Sequence, residues 1–290
     1  MPETMLIFDP AAKRRQRRRA AARFAAHDFL HAEIAARLLD RLGDIRRQFP
    51  LALLQGVAPD WLGPRLDPAS GIERLVGQGA DFIADEDLLP LADGKFDLVI
   101  SLLNLHWVND LPGALIQLQR SLKPDGLFLA AVFGGETLTE LRQAWLQAES
   151  ELEGGVSPHV APMMTTYDGA GLLQRAGFAL PVADAERINV TYGDVFALLR
   201  DLRFMGEGNA LRDRRRGFTR RATLLRMAEI YAERFSGPDG RLTATFEVVM
   251  LTGWRPAPNQ QQPLKPGSAT LRLADALGTV EHKAGDKAGR

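Results

Sequence analysis

One segment of the chain gathers an imidazole, an indole and two amides within residues 104–109. It contains Asn104, His106, Trp107 and Asn109 and follows the strongly apolar run 96–103. An imidazole can give or take a proton near neutral pH, and an indole ring can stack on a flat ligand. The opposing interpretation is that Trp107 packs a following helix and His106 is structural. His106 and Trp107 are therefore candidate catalytic residues, with both interpretations open.

Two further segments carry groups that could act in a site. His159 follows Gly154 and Gly155 in a segment that resembles a lid, and it is a third catalytic candidate beside the alternative of an ordinary surface histidine. The cluster Asp85-Glu86-Asp87 could accept hydrogen bonds from a ligand, although most acidic runs are solvated turns.

The sequence predicts no metal site. It has no cysteine, and its five histidines never occur as H-x-x-x-H. A non-haem iron site needs two histidines and one carboxylate brought together in space. His106, His159 and the acidic cluster are the only set that suggests one, and nothing in their spacing supports it.

The clearest structural unit positions the first candidate segment. Residues 96–103 form a nearly continuous apolar run, as in a strand buried on both faces. Asp110 can cap the following helix, with Pro112 in its first turn. A second apolar run, 127–133, follows the turn 123–126. Strand, helix and strand at this length predict a right-handed crossover between parallel strands.

The remaining elements follow from apolar periodicity and from turn residues. A helix is predicted over 17–42, and Thr137 with Glu140 has the spacing of a capping box at the start of the next helix. Residues 56–80 read as irregular. Other predicted elements are strands at 49–55, 80–84, 185–192 and 243–254 and helices at 168–176, 194–205 and 219–235.

This order predicts an open α/β sheet, mostly parallel, with helices on both faces. We divide the chain into a basic helical segment at 1–48, a main domain at 49–254 with a helical cap at about 194–235, and a mostly flexible tail at 255–290. Ligands of such sheets bind beyond the carboxyl ends of the strands, which points to residues 54–60, 84–87 and 101–109.

Charge and hydropathy narrow the function classes. Lys plus Arg and Asp plus Glu both number 36, so the balance does not indicate nucleic acid binding. No run of about 18 apolar residues predicts a transmembrane helix, and the first ten residues do not resemble a signal peptide. We therefore predict a cytoplasmic protein. The arginines of 212–221 could dock an acidic partner or could form a solvated connection.

Several segments resemble one branch of the class I S-adenosylmethionine-dependent methyltransferases. The run FDLVISLLNLHWVNDLPGALIQLQRSLKPDGLFLAAVFGGETLTELR resembles the fourth strand, following helix and fifth strand of that fold. IFDPAAKRRQRRRAA, EGGVSPHVAP, MGEGNA and GSATL extend the resemblance over nearly the whole chain. The branch is the methyltransferase-like complex I assembly factor family, whose mitochondrial member is a protein arginine hydroxylase.

The resemblance implies a Rossmann-like fold, S-adenosylmethionine as cofactor and a respiratory complex I subunit as partner. The activity would be arginine hydroxylation or methyl transfer. The alternatives are a non-catalytic assembly chaperone and a methyltransferase acting on a small molecule or on a carrier protein of biotin synthesis. The positions implied for cofactor binding are Gly56, Asp85, Glu86, Asn104, Leu105 and His106.

The chain departs from the family pattern where the first strand ends. Methyltransferases normally have an acidic residue followed by a glycine-rich loop at this point. Here Leu54 takes the acidic position, Gly56 remains in register, and Ala58 and Asp60 replace later glycines. The next strand and its ribose-binding acid are shortened or missing in 62–79. Because losing a charged hydrogen bond costs about 1.5–3 kcal/mol, two such losses predict cofactor binding weakened roughly a hundredfold.

Overall fold

The computed structural model describes residues 6–57, 59, 62–66, 71–75, 88–260, 268, 271 and 273–279. Its sheet has six strands: β1 (Leu51–Gln55), β2 (Gly71–Leu75), β3 (Phe96–Leu102), β4 (Leu122–Phe133), β5 (Ala179–Tyr192) and β6 (Leu242–Trp254). Their order across the sheet is β2-β1-β3-β4-β6-β5. Strands β2, β1, β3 and β4 are parallel, and β6 runs antiparallel to both β4 and β5.

The central strands are buried on both faces, so their residues alternate between two cores. Leu98, Ile100 and Leu102 of β3 belong to one core, whereas Val99 belongs to the other. The same alternation follows β4 from Leu127 to Phe133. The parallel pairing of β3 with β4 places the carboxyl ends of both strands side by side at one edge of the sheet.

Helices cover both faces, as predicted. The first core is closed by α2 (Phe29–Gly43), α5 (Thr139–Leu152), α7 (Val195–Phe204) and α8 (Arg221–Phe235). The second is closed by α4 (Leu111–Ser121) and α6 (Thr166–Arg175). Helix α4 begins as the sequence indicates, because the Asp110 carboxylate accepts a hydrogen bond from the Gly113 amide at 2.9 Å. The predicted mostly parallel α/β architecture is confirmed.

The N-terminal region differs from the single helix predicted over 17–42. It consists of α1 (Pro10–Ala20), a 3-10 turn (Ala21–Ala26) and α2. The chain bends at His27, whose imidazole lies 2.7 Å from the Asp201 carboxylate. Phe24 turns inward and packs edge-on against His31, with ring centroids 5.0 Å apart. These two side-chain contacts divide what periodicity alone reads as one helix.

The prediction that the second strand is shortened or missing was wrong. After the short helix α3 (Leu62–Leu66), β2 pairs with β1 along all five of its residues, from Leu51 opposite Gly71 to Gln55 opposite Leu75. The strand is an edge strand held by main-chain pairing, which a search for apolar patterns does not detect. The strand predicted at 80–84 lies outside the described residues.

The predicted capping box at the start of α5 does not form, because β6 competes for both side chains. The Thr137 hydroxyl donates to the Glu247 carbonyl at 2.9 Å and accepts from its amide at 3.1 Å. The Glu140 carboxylate accepts hydrogen bonds from Thr245. Leu138 precedes the helix with a φ of +54°, an unusual backbone conformation for leucine.

Two boundaries also shift. Strand β4 begins at Leu122 and includes the predicted turn 123–126, while β5 begins at Ala179 and not at 185. Residues 257–290 form a separate compact unit, whose described part includes the short helix α9 (Leu273–Leu277). No helix in the described ranges is both long and apolar enough to span a membrane.

Candidate functional site

A cavity of about 280 Å³ lies beside the carboxyl end of β4. Its walls are mostly apolar and aromatic, with Trp107, Phe133, Trp145 and Phe246 contributing rings. Polar groups come from α1, from α7 and from residues 207–209. A concave, largely apolar site with few polar groups is the usual form of a ligand site, so this cavity is the candidate functional site.

A buried carboxylate, Glu207, joins three distant segments at the cavity wall. The Lys13 ammonium of α1 lies 3.3 Å from its Oε1, and the side chains of Lys13 and Glu207 are only 4% and 7% exposed. Trp107 Nε1 donates to Glu207 Oε2 at 2.8 Å, and His106 Nε2 lies 3.1 Å from the same oxygen. Lys13 also donates to the Gly206 carbonyl and lies 3.8 Å from the Trp107 ring centroid.

This cluster fixes the charge states of its members. Burial by itself raises the pKa of Glu207, but the charge of Lys13 and the hydrogen bond from His106 outweigh it and hold that pKa well below its ordinary value. Burial lowers the pKa of His106 despite the carboxylate beside it. The neutral ring therefore donates from Nε2 to Glu207, and its Nδ1 has no partner among the described residues.

His31 lies on α2 within the field of the same charges. Its imidazole is 1% exposed, and burial lowers its pKa to about 4, with the charges of Lys13, His106 and Arg17 opposing that of Glu207. His31 is thus a buried neutral histidine at neutral pH.

The N-terminal segment is attached to this site by main-chain and ring contacts. The Asp9 amide donates to the Ala210 carbonyl at 2.8 Å, and the Arg212 amide donates to the Ile7 carbonyl at 2.8 Å. The Phe8 ring packs edge-on against Trp107 at 5.2 Å. Residues 7–20 therefore cover one side of the cavity and bury the indole, which is 6% exposed.

The third candidate, His159, lies on another wall of the cavity. Its ring stacks on Trp145 with centroids 3.9 Å apart and an interplanar angle of 3°. His159 Nε2 lies 2.8 Å from the buried Glu149 carboxylate and 3.2 Å from the Ser157 hydroxyl. Burial raises the pKa of Glu149, but the hydrogen bonds from His159 and Ser157 outweigh it and leave that pKa lowered. Glu149 thus holds both the histidine and its loop.

The implied cofactor cleft lies at the ends of β1 and β3. Gly56 has a φ of +104°, and a Cβ at this position would lie 2.2 Å from the Leu102 carbonyl oxygen. The glycine is therefore required by close packing of two protein segments, whatever ligand is present. Gln55, Ser101 and Asn104 are fully buried beside it, and each has a side-chain polar atom without a partner among the described residues.

These residues differ from those that usually bind S-adenosylmethionine in methyltransferases. Leu54 is buried in the first core, so no carboxylate stands at the position where the family has one. Asn104 Oδ1 accepts a 2.5 Å hydrogen bond from Arg17 of α1. The neutral amide and hydroxyl groups of Gln55 and Ser101 could hold polar ligand atoms, but they bring no charge.

The other predicted site residues lie in several different environments. The side chain of Leu105 is wholly buried in the second core, so a contribution of this residue to cofactor binding stays a prediction. His106 does not face an open cleft, because Glu207 and the Phe133 ring enclose it. Asp85 and Glu86 lie outside the described residues. Trp107 and His159 line the cavity.

The described residues include no group of three or more histidine, aspartate and glutamate side chains arranged to hold a metal ion. His106 and His159 have separate carboxylate partners, Glu207 and Glu149.

Sequence reasoning did not single out Lys13, Glu149 or Glu207. Glu207 lies within the segment MGEGNA, and Lys13 lies within the basic helical segment predicted at 1–48. The only available signal was the resemblance, because an ion pair between residues 194 positions apart leaves no local pattern.

Comparisons with known proteins identify the family and the fold of this chain. The model of a family described as a methyltransferase domain matches residues 73–130. A relative from Danio rerio named arginine-hydroxylase NDUFAF5, mitochondrial, is 39% identical over 93% of this chain and 89% of its own length. A malonyl acyl-carrier-protein O-methyltransferase from Gallionella capsiferriformans is 33% identical over 87% of this chain and 93% of its own.

Among solved structures, a proposed methyltransferase from Bacillus halodurans superimposes with a TM-score of 0.50 at 13% identity, covering 77% of this chain and 99% of that chain. The fold and the sequence matches together define a class I methyltransferase-fold protein. Within that superfamily, the chain belongs to the family of the arginine-hydroxylase NDUFAF5. The predicted fold class and the predicted family are both confirmed.

One prediction was wrong in this comparison. The cytoplasmic location inferred from the absence of a recognisable targeting segment is contradicted by relatives that are named as mitochondrial proteins.

Removing either partner of the Lys13–Glu207 pair should strongly destabilise the protein. Glu207→Gln leaves a buried ammonium without its counter-charge, and Lys13→Met leaves a buried carboxylate. We expect each variant to lose about 3–5 kcal/mol of unfolding free energy, and the double variant to lose less than the sum. Urea unfolding measures all three.

The exposed pair Arg120–Asp93, whose side chains are 60% and 58% exposed, supplies the control for this cycle. Asp93→Asn should change stability by less than about 1 kcal/mol. Strictly additive losses at Lys13 and Glu207 would show that the two charges are not coupled.

His31 should make stability depend on pH. The unfolded chain takes up a proton on this histidine below about pH 6.5, whereas the folded protein excludes it until about pH 4. Stability should therefore fall as pH decreases through that window, by up to roughly 3 kcal/mol. His31→Gln should show a shallower loss in urea unfolding, and His106 together with carboxylates of lowered pKa such as Glu207 and Glu149 should cause the remainder. Equal slopes for both proteins would contradict this assignment.

Proposed function

We propose that this protein acts in the assembly of respiratory complex I by binding a subunit and modifying it, by arginine hydroxylation or by methyl transfer. The family resemblance supports the assembly role, and the name of the relative from Danio rerio supports an activity on arginine. A client protein, and not a free metabolite, would then supply the group that enters the cavity.

One observation carries this proposal: the segments that bear the resemblance meet at a single cavity. IFDPAAKRRQRRRAA contributes Gln16 and Arg19, HWVND contributes Trp107, FGGETL contributes Thr137 and Leu138, SPHVAP contributes residues 159–161, and MGEGNA contributes residues 207–209. These segments are spread over almost 200 positions of the chain. Their convergence indicates that the family resemblance concerns a site and not only a fold.

The cavity can bind and orient one side chain of a client. Trp107 and Trp145 are held rigidly, the first by its hydrogen bond to Glu207 and the second by the stacked His159 ring. Rigid aromatic walls hold a flat group such as a guanidinium by stacking. The N-terminal segment and the loop of His159 limit water on two sides, which strengthens electrostatic contacts inside.

Two alternatives keep specific support. The leucine at the acidic position of the cofactor cleft favours a binding chaperone without methyl transfer. The relative from Gallionella capsiferriformans favours a carrier-protein methyltransferase. If the protein is a chaperone, loss of the gene impairs complex I but removes no modification from its subunits. If it is a carrier-protein methyltransferase, loss of the gene impairs biotin synthesis and leaves complex I unaffected.

A strain that lacks the gene should lose NADH:quinone activity in its respiratory membranes, while the other dehydrogenases remain normal. Val160→Trp should fail to restore that activity, because the indole would fill the cavity that Val160 lines. Val156→Trp is the matched control: it lies in the same loop, is 55% exposed and should restore fully. The measurements are membrane activity, assembled complex I on native gels and mass spectrometry of the subunits.

The outcomes separate the candidates. A subunit arginine that gains oxygen or a methyl group only when the gene is present supports the enzyme. Restored assembly without any such mass change supports the chaperone. Normal complex I with a biotin requirement overturns the proposal in favour of the carrier-protein methyltransferase.

S-adenosylmethionine should bind weakly or undetectably to the purified protein. Leu54 is buried and cannot accept the hydrogen bonds that a carboxylate accepts. Gly56 packs closely against the Leu102 carbonyl. Losing one charged hydrogen bond costs about 1.5–3 kcal/mol, which corresponds to roughly a 10- to 100-fold weaker affinity. Calorimetric titration measures it, and Leu54→Asp should strengthen any binding if the cleft is otherwise intact. A low-micromolar dissociation constant for the natural sequence would contradict the prediction.

A further inference from the structure

Two guanidinium groups line the cavity without a counter-charge. Arg19 lies on α1 and Arg203 on α7, and both residues are exposed. Neither guanidinium group makes a hydrogen bond or an ion pair within the part of the chain that the structure describes. Other arginines nearby do have partners: Arg17 bonds to Asn104, Arg214 to Asp9 and Arg215 to Glu153.

The lining of the cavity contains no carboxylate that is available to pair with these two guanidinium groups. Glu207 is the only carboxylate among the lining residues, and Lys13 already neutralises it within the buried cluster. The lining therefore keeps two uncompensated positive charges. Positive charge beside a low-dielectric wall attracts anions and raises their rate of encounter.

The rest of the lining selects what the anion is attached to. Trp107, Trp145, Phe133 and Phe246 present rings, and leucine, valine and methionine side chains fill the space between them. A ligand that satisfies both parts has a flat or apolar group that packs against the rings and an anionic group at one end. Arginine pairs well with carboxylates because its planar fork matches their two oxygens.

Resting on the proposed function, we propose that Arg19 and Arg203 bind the carboxylate of an aspartate or glutamate in the client segment. That acidic residue lies next to the arginine whose side chain enters the cavity. The two arginines thus determine specificity: they select the sequence around the modified position and take no part in the reaction.

The first test uses the full-length protein and fluorescein-labelled overlapping peptides that cover the complex I subunits. Fluorescence anisotropy identifies the peptides that bind. In each of them the aspartates and glutamates are then replaced singly by asparagine and glutamine. We expect one replacement to weaken binding roughly 3- to 10-fold, and added salt to weaken the natural peptide more than the replaced one.

Protein variants locate the effect. Arg19→Gln and Arg203→Gln should each weaken the acidic peptide by roughly 3- to 10-fold and should leave the amide peptide unchanged. Arg18→Gln and Arg200→Gln are matched controls, because both arginines are exposed on the same two helices and neither lines the cavity. Equal losses in the control variants would overturn the inference.

A second measurement does not depend on the client. Phenylacetate combines a carboxylate with an aromatic body, and phenylacetamide is its neutral counterpart. Titration followed by tryptophan fluorescence should show tighter binding of phenylacetate, and the preference should vanish in the Arg19→Gln, Arg203→Gln double variant. Equal binding of the two compounds overturns the inference whatever the peptides do.

The two proposals can fail separately. A preference for phenylacetate without any binding peptide supports the carboxylate site and counts against a complex I client. Binding of a malonyl carrier protein in place of every peptide would assign the arginines to a different macromolecule and overturn the client inference. Peptides that bind regardless of acidic residues support the proposed function and overturn the role of the two arginines.

Discussion

The carboxylate of Glu207 is the group on which the candidate site depends. An ionised carboxylate removed from water is costly unless charges and donors surround it. Lys13, His106 and Trp107 supply them from two distant parts of the chain. Trp107 and Glu207 line the cavity, and Lys13 lies on the helix that contributes Gln16 and Arg19 to its wall. Satisfying one buried charge therefore brings α1, the segment after β3 and the segment after α7 to the same place.

The sheet makes this arrangement possible by ending its central strands at one edge. Strands β3 and β4 pair in parallel, so the segments that leave them, 103–109 and 134–138, emerge side by side. Leu103 and Leu138 both have positive φ angles at these exits, +45° and +54°. Non-glycine residues keep such conformations only where surrounding contacts enforce them. Here hydrogen bonds to Ala131 and Thr245 hold the two turns.

The strongest elements could be predicted from the sequence because their signals are local. The apolar runs around β3 and β4, the Asp110 cap and the crossover they imply all lie within about 40 residues. Strand β2 was missed because main-chain pairing defines it, and the α5 capping box was mispredicted because β6 captures Thr137 and Glu140. Trp107 and His159 could be nominated by residue type. Lys13 and Glu207 could not, because their pairing joins residues 194 positions apart in the chain.

The separation between Lys13 and Glu207 has a consequence for biosynthesis. The carboxylate partner of Lys13 is synthesised 194 positions after Lys13 itself. At about 5–20 residues per second, the helix that carries it waits roughly 10–40 s before that partner is synthesised. Its only buried residues are two alanines and Lys13, so it has little apolar surface to dock early. Helix α1 is thus expected to dock late, although it leaves the ribosome well before the residue that neutralises Lys13.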